Sequence, residues 1–289
     1  MDKLNTPKGH SSVIVLMLAF NSEMYIEKAL SSFLEQDLMD SRVLVFDDCS
    51  RDSTRQILHD YEHNHPERVF VCRPKVNVFS AGNPDLPFKI LEAVEADFVA
   101  ILDADDYWNS SKKLSASVAA LEDSGASLAG HSVLLVGAGE DKGGLELAYE
   151  WIGKIYASKL WIAKLLAKSM LVLPTCTLVL RKDSFPFTEM SWLANLDTPD
   201  LFIKLWAHAN GGIVRITPPM SNLRLSKGSL WSSKSNLRHF ASASVSAAQA
   251  LRRFGLPKFL VIVRHTFLWS TFRLLSEAAT ILARLRSNR

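Results

Sequence analysis

Four short apolar runs, each followed by a stretch with helical spacing, constrain this chain more than any other feature. "VIVLMLA" (13–19), "VLVF" (43–46), "VFVC" (69–72) and "FVAIL" (98–102) are continuous in apolar residues instead of alternating with polar ones. A strand reads this way when both of its faces are covered, the usual condition of a parallel strand with helices above and below it. After the first run, Ile26, Ala29, Leu30, Phe33 and Leu34 recur at helical spacing, with Asn21 or Ser22 placed to cap that helix. Ser50 and Asp52 precede a second stripe at Ile57, Leu58 and Tyr61. Ile90, Leu91 and Val94 mark a short third helix, and Leu114, Val118 and Leu121 a fourth. Strand alternating with helix predicts an α/β fold, a mainly parallel, doubly wound sheet flanked by helices.

The alternation stops near residue 135. "VGAGEDKGG" (136–144) reads as a loop or linker. Beyond it the pattern predicts a helical region at about 146–170, a strand "CTLVL" at 176–180, a helix near Leu201 to His208 and a short strand near Ile213 to Ile216. The expected organisation is one domain over 1–232, with halves at 12–135 and 136–232. A basic, mainly helical C-terminal extension follows over 233–289, broken at Gly255-Leu256-Pro257.

Acids collect where two of the buried runs end. Asp47 and Asp48 follow "VLVF", and Asp103, Asp105 and Asp106 follow "FVAIL". In open α/β sheets ligands bind just outside the carboxyl ends of the strands, so five carboxylates at that edge would make a strongly negative crevice. A hard divalent cation, Mn²⁺ or Mg²⁺, resolves the repulsion, because it takes carboxylate oxygens and leaves coordination positions for phosphate. The competing reading is local: Asp105 or Asp106 could cap the helix that starts near Ser110.

The rest of the composition narrows the class. Three cysteines (Cys49, Cys72 and Cys176) without metal-like spacing argue against a zinc site or a disulfide framework and fit a reducing compartment. The first dozen residues are polar, which predicts no secretory signal, and no apolar run reaches the roughly 18–20 residues of a spanning helix. A cytoplasmic protein is expected. Net charge is +3, yet residues 240–289 hold eight basic residues against the single acid Glu277, so the body before them is acidic. Within that tail, 257–286 combine apolar bulk with Lys, Arg and Trp. They could lie on the cytoplasmic face of an anionic membrane as a peripheral contact, or pack on the body with the arginines exposed. No RNA- or DNA-binding motif is present, and no nucleic-acid partner is expected.

"VIVLMLAFNSEMYIEKALSSFLEQ", "VLVFDDCSRDST" and "FVAILDADDYWNSSKKL", in that order and spacing, resemble the signatures of family 2 glycosyltransferases, nucleotide-sugar-dependent enzymes of the GT-A fold. The resemblance is strongest over 12–125 and extends through "LPTCTLVLRKDSF", "LDTPDLFIKLWAHANGG" and "NLRLSKGSLWS". It implies that Ala19, Phe20 and Glu23 line the nucleotide base and that Asp48 hydrogen-bonds it, with Asp47 supporting that turn. It implies that Asp103 faces the ribose or the metal. In the Asp-x-Asp motif, Asp105 is the first choice of metal ligand, with Asp106 close behind. Left as the bare sequence has them, Phe20 could equally be a core aromatic and Glu23 a first-turn helix acid.

The resemblance further implies an inverting transfer, which needs a base near the acceptor hydroxyl. Asp197, ahead of "LFIKLWA", matches that position, with Asp200 in reserve, although either could serve as an N-cap. Arg224 matches an arginine suited to a diphosphate, while Leu223 and Ser226 stand where the family commonly has Tyr and His. The function implied is transfer from a UDP- or dTDP-sugar donor to a glycan or lipid-linked acceptor, in cell-surface polysaccharide synthesis. Two rivals remain. A nucleotidyltransferase would want glycines or basic residues after the first strand, and "AFNSEMY" has neither. A non-catalytic GT-A-fold partner protein, binding a nucleotide or another transferase, would account for the missing Tyr and His.

Overall fold

A computed structural model describes residues 5–83, 85–137, 173–187, 203–204, 206–208 and 210–225. The chain divides into two compact units. The first comprises Met1–Gly144, Leu173–Asn195 and Pro199–Leu225. The second (Leu145–Val172, Leu196–Thr198 and Ser226–Arg289) lies outside the described residues, as do the expected helical region at 146–170, the boundary at 232 and the basic extension.

Within the first unit the alternation expected from the apolar runs is present. In chain order the elements are β1 (Ser11–Ala19), α1 (Ile26–Leu34), β2 (Ser41–Asp47), α2 (Thr54–Asn64), β3 (Val69–Cys72), α3 (Leu86–Glu92), β4 (Ala96–Asp103), β5 (Tyr107–Trp108), α4 (Lys113–Ser124), β6 (Leu128–Gly130), β7 (Leu134–Gly137), β8 (Val179–Arg181), β9 (Ile213–Arg215) and β10 (Ser221–Leu225). Seven strands form one sheet in the order β3-β2-β1-β4-β8-β6-β9, and β5-β10-β7 form a second, small one. Pairing is parallel from β3 through β4, which joins the four runs first recognised by their continuous apolarity. Val13 to Met17, Val43 to Val45 and Val99 to Ala100 are wholly buried, as strands covered on both faces must be.

The helices cover that sheet with the faces their spacing implied. Ile26, Ala29, Leu30 and Phe33 of α1 are all fully buried, and so is Leu58 of α2. On α4 the buried face is Lys113, Leu114, Ser117 and Leu121, rotated from the stripe expected at Leu114, Val118 and Leu121, so it carries a lysine and a serine inward. Gly125 ends α4 in the left-handed conformation, φ 67°, which a residue with a Cβ adopts only at a cost.

Two local expectations are corrected. Neither Asn21 nor Ser22 caps α1, whose N-cap residue is Tyr25. Asn21 sits at φ 50°, and its side chain and that of Ser22 are spent on the loops around them. The strand read as 176–180 is shorter: Thr175–Thr177 form a 3-10 turn and β8 begins at Val179, antiparallel to β4. The Pro174 carbonyl accepts the Thr177 backbone N–H and its hydroxyl, which curls the chain before it can enter the sheet. Among the described residues no helix is long and apolar enough to cross a membrane.

Removing bulk from the central layer should be costly. Leu44→Ala, at a site with no solvent exposure, is expected to lower stability by about 2–5 kcal/mol. Denaturant titration would register this as a lower midpoint with an unchanged slope.

Candidate active site at the carboxyl edge of the sheet

Strand register delivers the acids to one edge. Ala19 pairs with Asp47 across β1 and β2, and Leu18 pairs with Asp103 across β1 and β4, so three parallel strands end level. The chain leaves β1 toward β2 and β3 on one side, while β4 lies on the other. The order therefore reverses at β1, and a crevice opens there at the strand ends.

One half of this edge is a rim of loops stitched together by backbone N–H groups and side-chain oxygens. Asn21 N–H donates to Ser50 Oγ (2.9 Å), Ser22 N–H to Thr54 Oγ1 (2.7 Å) and Glu23 N–H to Asp52 Oδ2 (3.1 Å). In return Arg51 N–H donates to Asn21 Oδ1 (2.8 Å) and Ser53 N–H to Glu23 Oε2 (2.8 Å). Asp47 is fully buried and its Oδ1 accepts the Ser50 N–H at 3.0 Å, the turn-supporting position expected of it. Asp48 clamps the loop after β3: Oδ1 accepts Val78 N–H at 2.6 Å and Oδ2 accepts Phe79 N–H at 3.1 Å. Each of those oxygens keeps a second lone pair. Ala19 is buried and its carbonyl accepts the Asp48 N–H. Phe20, next to it, is 51% exposed and so is not a core aromatic, and Phe79 is 59% exposed. Two open rings thus flank the Asp48 clamp, and sequence reasoning named only the first.

The other half is the acidic turn after β4. Asp103 and Asp105 are half-buried, whereas Asp106 is 3% exposed. Burial pushes the Asp105 carboxyl above the usual range, opposed by its own backbone N–H and by the Arg224 guanidinium. Asp106 is pushed well above it by burial and then by Asp103 and Asp105, with the Arg224 backbone and the Cys176 thiol opposing. Asp106 faces inward: its Oδ1 accepts the Arg224 N–H at 2.8 Å. Arg224 itself lies in β10, and its Nε donates to the Asp105 carbonyl at 3.0 Å. Its guanidinium lies 4.5 Å from the Tyr25 ring and 5.8 Å from that of Tyr107, while Lys28 Nζ stands 4.1 Å from the Tyr107 ring. An arginine held by two aromatic rings and a carbonyl keeps its charge beside the acids at little further entropic cost.

Among the described residues no three His, Cys, Asp or Glu side chains converge into a ready-made metal cage. Mg²⁺ and Mn²⁺ do not require one, since one or two carboxylates plus substrate phosphates are their common ligand set. Asp103 and Asp105, with Asp105 destabilised as an anion by burial, fit such an ion. Asp106 is committed to β10 and to Cys176. Asp197 and Asp200 lie outside the described residues. The helix expected after them is described at 203–204 and 206–208, where Lys204 Nζ donates to the Leu173 carbonyl at 3.0 Å.

Beneath the turn is a buried polar cluster that sequence reasoning missed. Lys113 has no solvent exposure, its Nζ finds no hydrogen-bond acceptor among the described residues, and it lies 4.4 Å from the Trp108 ring. Burial lowers its pKa to about 7. His131 is equally buried and is lowered to about 4, by burial and then by Lys113. Cys176 is raised well above its ordinary value by burial, with Asp106 and Asp103 adding to it. The one signal available was the spacing Lys113-Ser117-Leu121, which puts the lysine on the apolar face of α4.

Comparison with known proteins agrees with this architecture. The family model "Glycosyl transferase family 2" matches residues 14–184. TuaG of Bacillus subtilis, a glycosyltransferase named for teichuronic acid biosynthesis, is 36% identical over 100 residues, 35% of this chain and 38% of TuaG. TarS of Staphylococcus aureus, a poly(ribitol-phosphate) beta-N-acetylglucosaminyltransferase, is 35% identical over 98 residues, 33% of this chain and 16% of TarS. The chain thus spans well under half the length of these curated relatives. Among solved structures, TarS 1–349 in complex with UDP superposes with a TM-score of 0.58 at 20% identity, covering 83% of this chain and 65% of that one. The mannosyltransferase PcManGT of Pyrobaculum calidifontis, in complex with GDP-Man and Mn²⁺, gives 0.61 at 17% identity, covering 98% and 78%. At those identities the likeness is one of fold, the GT-A arrangement of a mainly parallel sheet with flanking helices.

The buried lysine makes a pH prediction. Between about pH 7 and 10 the unfolded chain holds the Lys113 proton and the folded chain does not, so stability rises with pH across that window. The slope contributed is at most about 1.4 kcal/mol per pH unit. Lys113→Met should remove this rise, as measured by chemical denaturation at pH 7, 8 and 9.

Proposed function

The chain belongs to glycosyl transferase family 2, and from that premise we propose that it moves a sugar from a UDP- or dTDP-sugar to a glycan or lipid-linked acceptor, with inversion and with Mn²⁺ or Mg²⁺. The observation that carries the reading is the level ending of β1, β2 and β4. It sets Ala19 and Asp48 on one side of a crevice and Asp103 and Asp105 on the other. On this reading the base lies along the rim, between the exposed rings of Phe20 and Phe79, with Asp48 near its polar edge. Glu23 acts there by bracing the rim. The diphosphate reaches toward Asp103, Asp105 and the Arg224 charge. The names of TuaG and TarS support a role in cell-surface polymer synthesis, and the UDP of the TarS crystal supports a uridine nucleotide. We place the reaction on the cytoplasmic side of the membrane, with residues 257–286 as a candidate peripheral contact.

In the transfer, an acceptor hydroxyl oxygen attacks the anomeric carbon as the bond from that carbon to the phosphate oxygen breaks. Asp197 takes the hydroxyl proton, with Asp200 in reserve, and the leaving nucleoside diphosphate carries away the bonding pair. When bound, a divalent ion on Asp103 and Asp105 supplies neutralisation of the charge that develops on the leaving phosphate. Arg224 adds a second positive charge beside Asp105.

The test is nucleotide binding and transfer with a UDP- and dTDP-sugar panel in the presence of Mn²⁺. Asp105→Asn should weaken metal-dependent nucleotide binding by roughly tenfold or more. Asp197→Asn should leave binding intact and slow transfer by about 10²–10⁴-fold. Absence of any metal-dependent nucleotide binding in the unmodified protein would overturn the reading. Binding without transfer to any acceptor would favour a non-catalytic partner, the role that Leu223 and Ser226 leave open.

A further inference from the structure

The sheet ends at β3, with β2 and β1 standing between that edge and the strand that carries the acidic turn. A cleft of about 400 Å³ lies at this edge, lined by Asn5, by Arg55 and Glu62 of α2, by Val71, and by the stretch Arg73-Pro74-Lys75 that leaves β3. None of these residues belongs to the donor site proposed above. Three cations therefore share the cleft with one acid, and that acid is already occupied. Glu62 Oε1 accepts the Val71 N–H at 2.9 Å and Asn5 Nδ2 at 2.7 Å, which covers a backbone donor at the sheet's edge. Glu62 Oε2 stands 3.6 Å from Arg73 Nη1, close enough for an ion pair and too far for a hydrogen bond. The other two nitrogens of that guanidinium, Nε and Nη2, are buried without a hydrogen-bond acceptor among the described residues. Donors left in that state are costly, and native structures normally supply them with a partner.

We propose that this cleft is an anion site for a phosphate monoester, separate from the donor site, in which the Arg73 guanidinium turns its uncommitted donors to the phosphate between Arg55 and Lys75. The charge fits that class of ligand. Three cations less the Glu62 carboxylate leave two positive charges, and a phosphate monoester carries about −1.5 to −2 at neutral pH. A carboxylate, with one negative charge, would leave the cleft half compensated. A guanidinium suits the role because its planar fork meets two phosphate oxygens at once. The volume exceeds what a bare phosphate needs and falls in the range of small-molecule sites, roughly 300–1,000 Å³, so the organic part of the ester has room as well. Pro74 connects the cleft to the rim without merging the two. Its carbonyl accepts the Cys49 thiol at 3.0 Å, and the loop that continues from it reaches the Asp48 clamp only at Val78 and Phe79. Both sites can therefore be filled together.

The experiment is calorimetric titration of the full chain, with a chelator present so that no metal takes part. The probes are inorganic phosphate, glucose 6-phosphate, acetate, and phosphatidylcholine vesicles with and without phosphatidic acid. Phosphate and glucose 6-phosphate should bind and acetate should not. Arg73→Gln should weaken the phosphate probes by roughly tenfold or more. Arg55→Gln and Lys75→Gln, at exposed positions that leave the fold intact, should each weaken them by about two- to fivefold. Binding of glucose 6-phosphate assigns a soluble ester to the site, whereas binding confined to vesicles with phosphatidic acid assigns a lipid headgroup. In a second titration, without chelator, saturating UDP with Mn²⁺ should leave glucose 6-phosphate binding in place. The proposal is overturned if no phosphate-bearing probe binds, if all three variants bind like the unmodified protein, or if UDP with Mn²⁺ displaces the probe. Should the chain bind no UDP, the donor-site reading fails by itself, and the three variants still decide the fate of the cleft.

Discussion

The parallel pairing of β1 with β2 on one side and β4 on the other is the constraint on which the rest of this structure depends. It sets the strand ends level, so Asp47 and Asp48 from one stretch of chain and Asp103 from another arrive together through register. Asp105 and Asp106 then follow within one turn. Like charges at this density raise one another's free energy wherever burial weakens solvent screening. The structure answers with a cation from far along the chain. Arg224 donates its backbone N–H to the Asp106 carboxyl and its Nε to the Asp105 carbonyl, across sequence separations of 118 and 119 residues, which brings its charge near the Asp105 carboxyl.

The acids along this edge are nevertheless of two kinds. Asp48, Asp52 and Glu23 take backbone N–H groups of neighbouring loops and Asp47 takes one of its own, and together they turn three connections into one rim. Asp106 belongs with them, since it braces β10. Asp103 and Asp105 are half-buried at the crevice, and for Asp105 burial outweighs the nearby arginine. That difference sorts the bracing carboxylates from the pair proposed to hold a metal on physical grounds. It also explains why Asp105 and Asp106, adjacent and chemically identical, can have unlike roles.

How much of this was legible in the sequence follows the range of the interactions involved. The four buried strands announced themselves because covering both faces leaves a local trace, an unbroken apolar run. The acids could be placed because each follows such a run directly. The caps at Asn21 and Ser22 were misread because the Asn21 side chain and both backbone N–H groups bond to Ser50, Arg51 and Thr54, partners some thirty residues away that local spacing does not reveal, while the Ser22 hydroxyl turns back to the Phe20 carbonyl. The small sheet β5-β10-β7 was missed for a similar reason. Two residues at Tyr107–Trp108 have no period of their own and become a strand only by pairing with Ser221 and Asn222. Lys113 was overlooked because a lysine is ordinarily assigned to the solvent face, and only full burial against Trp108 shows otherwise.

The dependence on β10 has a consequence for how the site is shared along the chain. The family match ends at residue 184, yet the side chain that brings positive charge to Asp105 comes from residue 224. The strand that carries it is anchored at Ser221 by the Cys176 carbonyl and at Arg224 by Asp106, two contacts that lie beneath the acidic turn and away from the rim. The rim can therefore form from the first half alone, since every bond stitching it lies between residues 19 and 79. The electrostatics of the acidic turn cannot be completed within that half, because the nearby arginine charge comes from residue 224. On the proposed reading, a nucleotide held by the rim alone would present its phosphates to an acidic turn that lacked the Arg224 charge. The strand that brings the Arg224 charge to the acidic turn is thus the same strand that joins β5 and β7 in the small sheet.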